Sequence, residues 1–282
     1  MLWNSQFNHR PIYTVKDLRL RCFHNESDIF PYSFLQRFIN LENLTVTCSS
    51  FTKIFSSGSV GTRHSDTTMK LKSLVLIELH KLEFICGDHS EMQFSLQNLE
   101  LFEVFKCSRL RHIVPSSVLF ENLVHLRGAF CNGLKNILSS LTATNLPNLE
   151  TLSIDHCEAI EDIVASDKEN DAGELGFLKL KYLRLYNLPH LRSFYKGRYN
   201  LKFPLLTKLF VVNCNMMETF SNGVLNAPKL RAVRVSFTSQ DQWCWNGDLN
   251  TTINKLFSGT VMCTTLIISS HNSTLIVCIL SH

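Results

Sequence analysis

Four cysteines, Cys107, Cys131, Cys157 and Cys214, recur in matching surroundings, and regularly spaced thiols are the first candidates for chemistry in this chain. As zinc ligands they would need local pairs of the Cys-x-x-Cys kind, and none occurs among the ten cysteines. His156 beside Cys157 offers a base next to a nucleophile. Neighbours along a strand point to opposite faces, however, so His156 should look out and Cys157 in. The adjacent carboxylates Glu161 and Asp162 fall where a turn is expected and read as solvated. No Gly-x-Ser-x-Gly, His-Glu-x-x-His or strand-following Gly-x-Gly-x-x-Gly sequence is present. The expectation is a protein that is no enzyme, with no catalytic residue, no cofactor and no metal.

The cysteines belong instead to a repeat. One apolar series runs Phe120, Leu123, Leu126, Cys131, Leu134, Ile137. A second runs Leu146, Leu149, Leu152, Ile154, Cys157, Ile160, Ile163, and a third Phe203, Leu206, Leu209, Val211, Cys214, Met217, Phe220. Counting each first residue as 0, the three agree at repeat positions 0, 3, 6, 11, 14 and 17. Such self-similarity marks a solenoid, and leucine with Cys where Asn could stand marks a leucine-rich repeat. The predicted fold is an α/β solenoid: a leucine-rich-repeat horseshoe with a concave parallel β-sheet and an irregular or 3₁₀-like convex side.

Eight units can be phased, starting at Phe38, Thr68, Leu96, Phe120, Leu146, Phe177, Phe203 and Ala227. Apolar alternation at positions 6 and 8 has the period of a half-buried strand. Apolar residues three apart at positions 11, 14 and 17 suit a tight turn and a short return. One Cys per unit at position 11 fits a small buried residue at the strand-to-loop corner. Leu79 and Leu188 fill the same slot, which favours packing over coordination. In the first unit, Cys48 lies two residues after Val46 where the other units have three, so that turn reads one residue short. Insertions at 55–68 and 164–176, the second carrying Asp167, Glu169, Asp171 and Glu174, should emerge as surface loops. The domain expectation is a partial repeat or cap over 1–33 and a repeat domain over 34–237. A C-terminal cap over 238–282 would end in an atypical tail after Gly259.

A composition of 45% hydrophobic and 18% charged residues excludes a disordered chain. The net charge of +4, with no basic run, speaks against nucleic acid as a partner. No apolar core of a secretory signal stands at the N-terminus, and no apolar stretch is long enough to span a bilayer. A cytoplasmic chain with reduced cysteines is expected. The sequons at Asn25, Asn43, Asn250 and Asn272 then read as chance matches, and would matter only in a secreted repeat protein.

Several segments resemble plant disease-resistance proteins. They are Cys22-Phe23-His24-Asn25-Glu26-Ser27-Asp28-Ile29-Phe30-Pro31, Phe34-Leu35-Gln36-Arg37-Phe38 and Leu41-Glu42-Asn43-Leu44-Thr45-Val46. Cys48-Ser49-Ser50-Phe51 and Asn148-Leu149-Glu150-Thr151-Leu152 add to them, and Trp245-Asn246-Gly247-Asp248-Leu249-Asn250-Thr251-Thr252-Ile253 is similar to the end of such repeat domains. The resemblance is to the coiled-coil nucleotide-binding leucine-rich-repeat receptors of plant immunity, and covers residues 15–257. It implies a recognition module whose protein ligand is a pathogen effector, a guarded host protein or the receptor's own switch domains. In that family the repeats restrain a nucleotide switch until ligand binding favours the other state. No Gly-x-x-x-x-Gly-Lys-Ser/Thr loop occurs here; Gly58-Ser59-Val60-Gly61 lacks both the spacing and the lysine. A repeat-only piece is therefore expected: a fragment, a free-standing decoy or a truncated gene product. A ubiquitin-ligase substrate receptor would need an F-box before the first repeat, and none is visible.

In a parallel repeat sheet, residues between the buried leucines point out from the concave face. Position 7 reads Thr45, Val75, Glu103, Arg127, Ser153, Arg184, Phe210, Arg234; position 9 reads Ile77, Phe105, Ala129, Asp155, Tyr186, Val212, Ser236. Phe130 and Tyr182 sit beside them. Arginine and aromatic side chains dominate protein-interface hot spots. The candidate contact set is Phe105, Arg127, Asp155, Tyr182, Arg184, Tyr186, Phe210 and Arg234, presented by a monomer. The competing reading packs the aromatics among themselves or over the solenoid edge, with Arg127, Arg184 and Arg234 exposed, since a charge inside the sheet would be costly.

Overall fold

The computed structural model describes residues 11–24, 30, 32–55, 70–86, 96–113, 120–166, 173–236 and 243–258. The tail after Gly259, most of the insertion at 55–68, and Asp167, Glu169 and Asp171 of the acidic insertion lie outside the described residues, as do Asn25 and Asn272.

Ten strands form one sheet in chain order: Asp17–Arg21, Asn43–Thr47, Ser73–Ile77, Leu101–Phe105, His125–Ala129, Thr151–Asp155, Tyr182–Tyr186, Lys208–Val212, Val233–Arg234 and Trp243–Cys244. All pair parallel except the last, which runs antiparallel to its neighbour. The register never slips, so Leu18, Leu44, Leu74, Phe102, Leu126, Leu152, Leu183, Leu209 and Val233 form one column. A slip of one residue would turn that column to the open face, and its burial forbids this. The sheet begins one unit earlier than Phe38. Ile12 bridges to Phe38, and Leu18 and Leu20 occupy the positions of Leu44 and Val46.

Each unit then turns twice. The position-14 N–H bonds to the position-11 carbonyl (Leu82 to Leu79, Leu110 to Cys107, Met217 to Cys214), and the position-3 N–H to the position-0 carbonyl (Leu123 to Phe120, Leu206 to Phe203). These i→i+3 bonds are single 3₁₀-type turns, the tightest way to reverse a chain whose every third residue is apolar. Beyond the first turn the return carries short parallel strands. Asp162–Ala165 pairs with Leu138–Ser139 and Ser193–Tyr195, and Asn200–Lys202 pairs with Glu174–Gly176 and Leu225–Asn226.

Position 10 is the sharpest point of the path. Cys22, Cys48, Glu78, Lys106, Phe130, His156, Asn187 and Asn213 all stand at φ between 51 and 56°. For residues other than glycine that conformation costs about 1–2 kcal/mol each. It is offset because the same backbone N–H reaches the next strand's last carbonyl, as in Cys22 to Thr47, Lys106 to Ala129 and His156 to Tyr186. The left-handed residue also turns the next side chain back into the core.

That next side chain occupies the cysteine slot. Cys107, Cys131, Cys157 and Cys214 each donate Sγ–H to the carbonyl two residues back, at 3.3–3.5 Å. Ser49 does the same toward Thr47 at 3.0 Å and accepts the Phe23 N–H, as Cys157 Sγ accepts that of Cys131. The first unit therefore corrects the sequence reading. Ser49, not Cys48, is the buried corner residue, and the missing residue falls after it, where Phe51 and Ile54 take the places of Leu82 and Ile85.

The core is continuous along the stack. At its C-terminal half Phe177 stacks on Phe203 (5.2 Å between ring centres) and Phe194 on Phe220 (4.9 Å), with edge contacts between the two pairs. The helix Leu249–Phe257 closes this end, with Asp248 capping it through the Thr251 N–H. Asn250 Oδ1 accepts the N–H groups of Phe220 and Ser221, while its Nδ2 donates to the Ser221 carbonyl.

Candidate protein-contact face

The strand register brings the predicted residues together in two groups. The first is built around Asp155. Arg127, Ser153 and Arg184 are lateral neighbours at position 7, and Phe105, Ala129, Asp155 and Tyr186 are neighbours at position 9. Arg184 Nε lies 2.9 Å from Asp155 Oδ1, off the line of its N–H, so the contact is more ion pair than hydrogen bond. Arg127 Nη2 lies 3.6 Å from Oδ2, and the Ser153 hydroxyl donates to Oδ2 at 3.4 Å. The two guanidiniums cover the carboxylate and leave Asp155 only 3% exposed. Asp155 thus faces the concave side yet orients arginines rather than offering itself.

The arginines also rest on rings. Arg127 lies 4.7 Å from the centre of Phe105, and Arg184 lies 5.0 Å from that of Tyr186. Phe130 and His156, at the turn, extend this surface. Phe130 is 45% exposed and stacks face to face on His156 at 4.5 Å, which meets Tyr186 edge-on at 5.0 Å. His156 looks out and Cys157 is fully buried, as expected, but the cause is the left-handed turn at His156 after the strand has ended, since alternation continued from Leu152 and Ile154 would give the reverse.

The second group lies toward the C-terminus. Tyr182 packs on Phe210 at 5.1 Å, and Arg234 lies 5.5 Å from Phe210 and 5.8 Å from Trp243. Phe210 is 7% exposed, so Arg234, Tyr182 and Trp243 form the accessible part. Trp243 escaped the sequence reading because it arrives opposite Arg234 on the antiparallel strand, outside the repeat period. Arg19 and Arg21, at positions 7 and 9 of the first strand, were missed because phasing began one unit too late.

Cys107, Cys131, Cys157 and Cys214 are all buried from solvent beneath this face. Cys107 and Cys157 are raised above the usual thiol range by hydrogen bonding to the Cys131 sulfur between them and by burial. Burial pushes Cys214 up to about 12. A neutral thiol is a poor nucleophile and a poor metal ligand, so Cys107, Cys157 and Cys214 pack and donate weak hydrogen bonds. No helix among the described residues is long and apolar enough to cross a membrane.

Residues 1–128 and 117–227 match the family of plant disease resistance protein RPS2-like leucine-rich repeats. The disease resistance protein UNI of Arabidopsis thaliana is 30% identical over 240 residues, which is 81% of this chain and 24% of UNI. A probable disease resistance protein of the same plant is 38% identical over 103 residues, 36% of this chain and 11% of its own length. SUMM2, another of its disease resistance proteins, is 36% identical over 101 residues, again 36% of this chain and 11% of the relative. The chain thus spans at most 24% of the length of these relatives. No solved structure matches. A cysteine-cornered parallel solenoid with these matches along its length belongs to the leucine-rich-repeat family of plant RPS2-like disease resistance proteins.

Proposed function

We propose that this chain is the protein-recognition part of a plant defence receptor and holds its ligand on the concave face. The observation that carries this reading is the paired support of the arginines. Arg127 and Arg184 are half-buried, each laid over an aromatic ring and both tied to one buried carboxylate. Their rotamers are largely settled before a partner arrives, so binding gives up less side-chain entropy than it would with free arginines. Arginine and tyrosine held in this way are the residue types that concentrate binding energy in protein interfaces. The ligand in this reading is a protein in the plant cytoplasm: an effector, a guarded host protein or the switch domains of the receptor. The chain binds as a monomer and catalyses nothing.

A photo-crosslinking phenylalanine analogue at Tyr186, compared with one at exposed Leu178 off the strand face, tests this in plant tissue. Discrete protein adducts at position 186, lost when Phe105→Ala is added, are expected. Equal labelling at both positions would remove the concave face as the contact surface.

A further inference from the structure

Repeat position 10 varies along the stack; its first two described places are both cysteine and its last two both asparagine. Cys22 is exposed and Cys48 partly so, and both are free thiols. They follow Arg21 and Thr47, which pair in register, and both stand in the left-handed region at φ 54 and 51°. The Cys22 N–H donates to the Thr47 carbonyl at 3.0 Å, which locks the two turns side by side. Equal backbone conformation on adjacent strands sends both side chains the same way from Cα atoms about 4.8 Å apart. Disulfide-bonded cysteines have Cα atoms about 4.4–6.8 Å and Cβ atoms about 3.5–4.5 Å apart, so the pair needs only a small tilt of the two turns toward each other to close. A third group completes the arrangement. Cys48 Sγ donates to Glu78 Oε2 at 3.0 Å, and Glu78 is held in turn by Lys106 Nζ at 2.8 Å. The hydrogen bond to Glu78 keeps the Cys48 thiol above its usual pKa, so it resists direct oxidation.

We propose that Cys22 and Cys48 form a redox modification site, closed to a disulfide by a hydroperoxide, with the hydrogen bond to Glu78 restraining Cys48 until Cys22 is oxidised. In the first step the Cys22 sulfur attacks the peroxide. An S–O bond forms and the O–O bond breaks, and the Cys22 thiol proton goes to the leaving oxygen, giving a sulfenic acid at Cys22 and water or an alcohol. In the second, the Cys48 sulfur attacks that of Cys22. The S–S bond forms, the S–O bond breaks, and the hydroxyl leaves as water with the proton that Cys48 gives up. Two thiols lose two electrons and two protons, and the peroxide is reduced by the same two electrons. The roles follow from placement: the exposed thiol meets the oxidant, and the carboxylate-bound one resolves it. The product staples the first two described strands of the sheet, where Asp17–Arg21 alternates between exposed and half-exposed residues.

The test treats the reduced full chain with hydrogen peroxide, blocks remaining thiols, and maps cysteine-linked peptides by mass spectrometry. A Cys22–Cys48 link is expected while buried Cys107, Cys131, Cys157 and Cys214 stay reduced. Cys48→Ser should leave a dimedone-reactive sulfenic acid at Cys22 and no link. Glu78→Gln removes the hydrogen bond that keeps the Cys48 thiol above its usual pKa, and should speed linkage several-fold while Cys22 oxidation keeps its rate, which a purely structural role for Glu78 would not produce. Persistent sulfenic acid at Cys22 in the unsubstituted chain, linkage to another cysteine or between chains, or an unreactive Cys22 would each overturn the proposal.

Discussion

Asp155 is a 3%-exposed carboxylate on the concave side of the sheet, and the two arginines with the Ser153 hydroxyl make that tolerable. The Arg184 side chain is 29% exposed and sits at 2.9 Å, so its pairing is screened less than that of a fully solvated pair. An Asp155→Ala, Arg184→Ala double-mutant cycle should give a coupling of about 1–2 kcal/mol by urea unfolding. The same cycle with Arg127, which is 42% exposed at 3.6 Å, should give about half a kcal/mol or less. Equal couplings would mean that the two arginines are not held as described. Arg184→Glu is a poor probe of binding, because it sets a second carboxylate against a buried one. The sequence showed that both arginines and Asp155 share a face. It did not show that one carboxylate serves both arginines, because that depends on lateral distances across three strands.

Gly128 is the one position-8 residue without a side chain in a run of Leu, Val and Ile, and the element scale explains it. A Cβ there would lie 2.9 Å from Ile113 Cδ1 and 3.5 Å from Ile154 Cδ1, so the preceding return already fills the hole. Gly128→Ala should cost about 1 kcal/mol by overpacking. Adding Ile113→Val, which removes the clashing atom, should recover most of it, although Ile113→Val alone costs about 0.5–1.5 kcal/mol. Strictly additive losses would mean the strain lies elsewhere. The C-terminal helix offers a pH-dependent case. Hydrogen bonds from the Thr251 hydroxyl and N–H hold the Asp248 carboxyl below the usual carboxylate range. A depressed folded-state pKa means stability that is complete above the unfolded pKa and lost as pH falls through the folded one. Asp248→Ala should lower stability by about 1 kcal/mol near neutrality. The gap to the unsubstituted chain should close in acid, and thermal melts across pH would show it. A gap independent of pH would assign the effect to something other than the charged cap.

At the scale of the whole molecule, each unit touches only its neighbours, so stability is local and the ends open first. The strand Asp17–Arg21 has no fully buried residue, whereas Thr151–Asp155 buries four of five. Hydrogen exchange should therefore run roughly tenfold or more faster in the first strand than in the sixth. Uniform protection would indicate a single cooperative block. Peroxide treatment should narrow the difference if the Cys22–Cys48 staple forms.

The repeat, the buried columns and the concave strands were legible in the chain itself. Packing at positions 0, 3, 6, 11, 14 and 17 recurs from unit to unit along most of the stack, and a period survives in one dimension. The turns were legible for the same reason, since apolar residues three apart require tight reversals. Only the tertiary structure decided the rest. The left-handed residue at position 10 carries no common residue type, because its N–H, not its side chain, makes the conserving bond to the next strand. The slot held by Ser49, the covering of Asp155 and the arrival of Trp243 beside Arg234 depend on what the neighbouring strand places opposite. Those neighbours lie a full repeat away in sequence but one strand away in space, and only stacking brings them together.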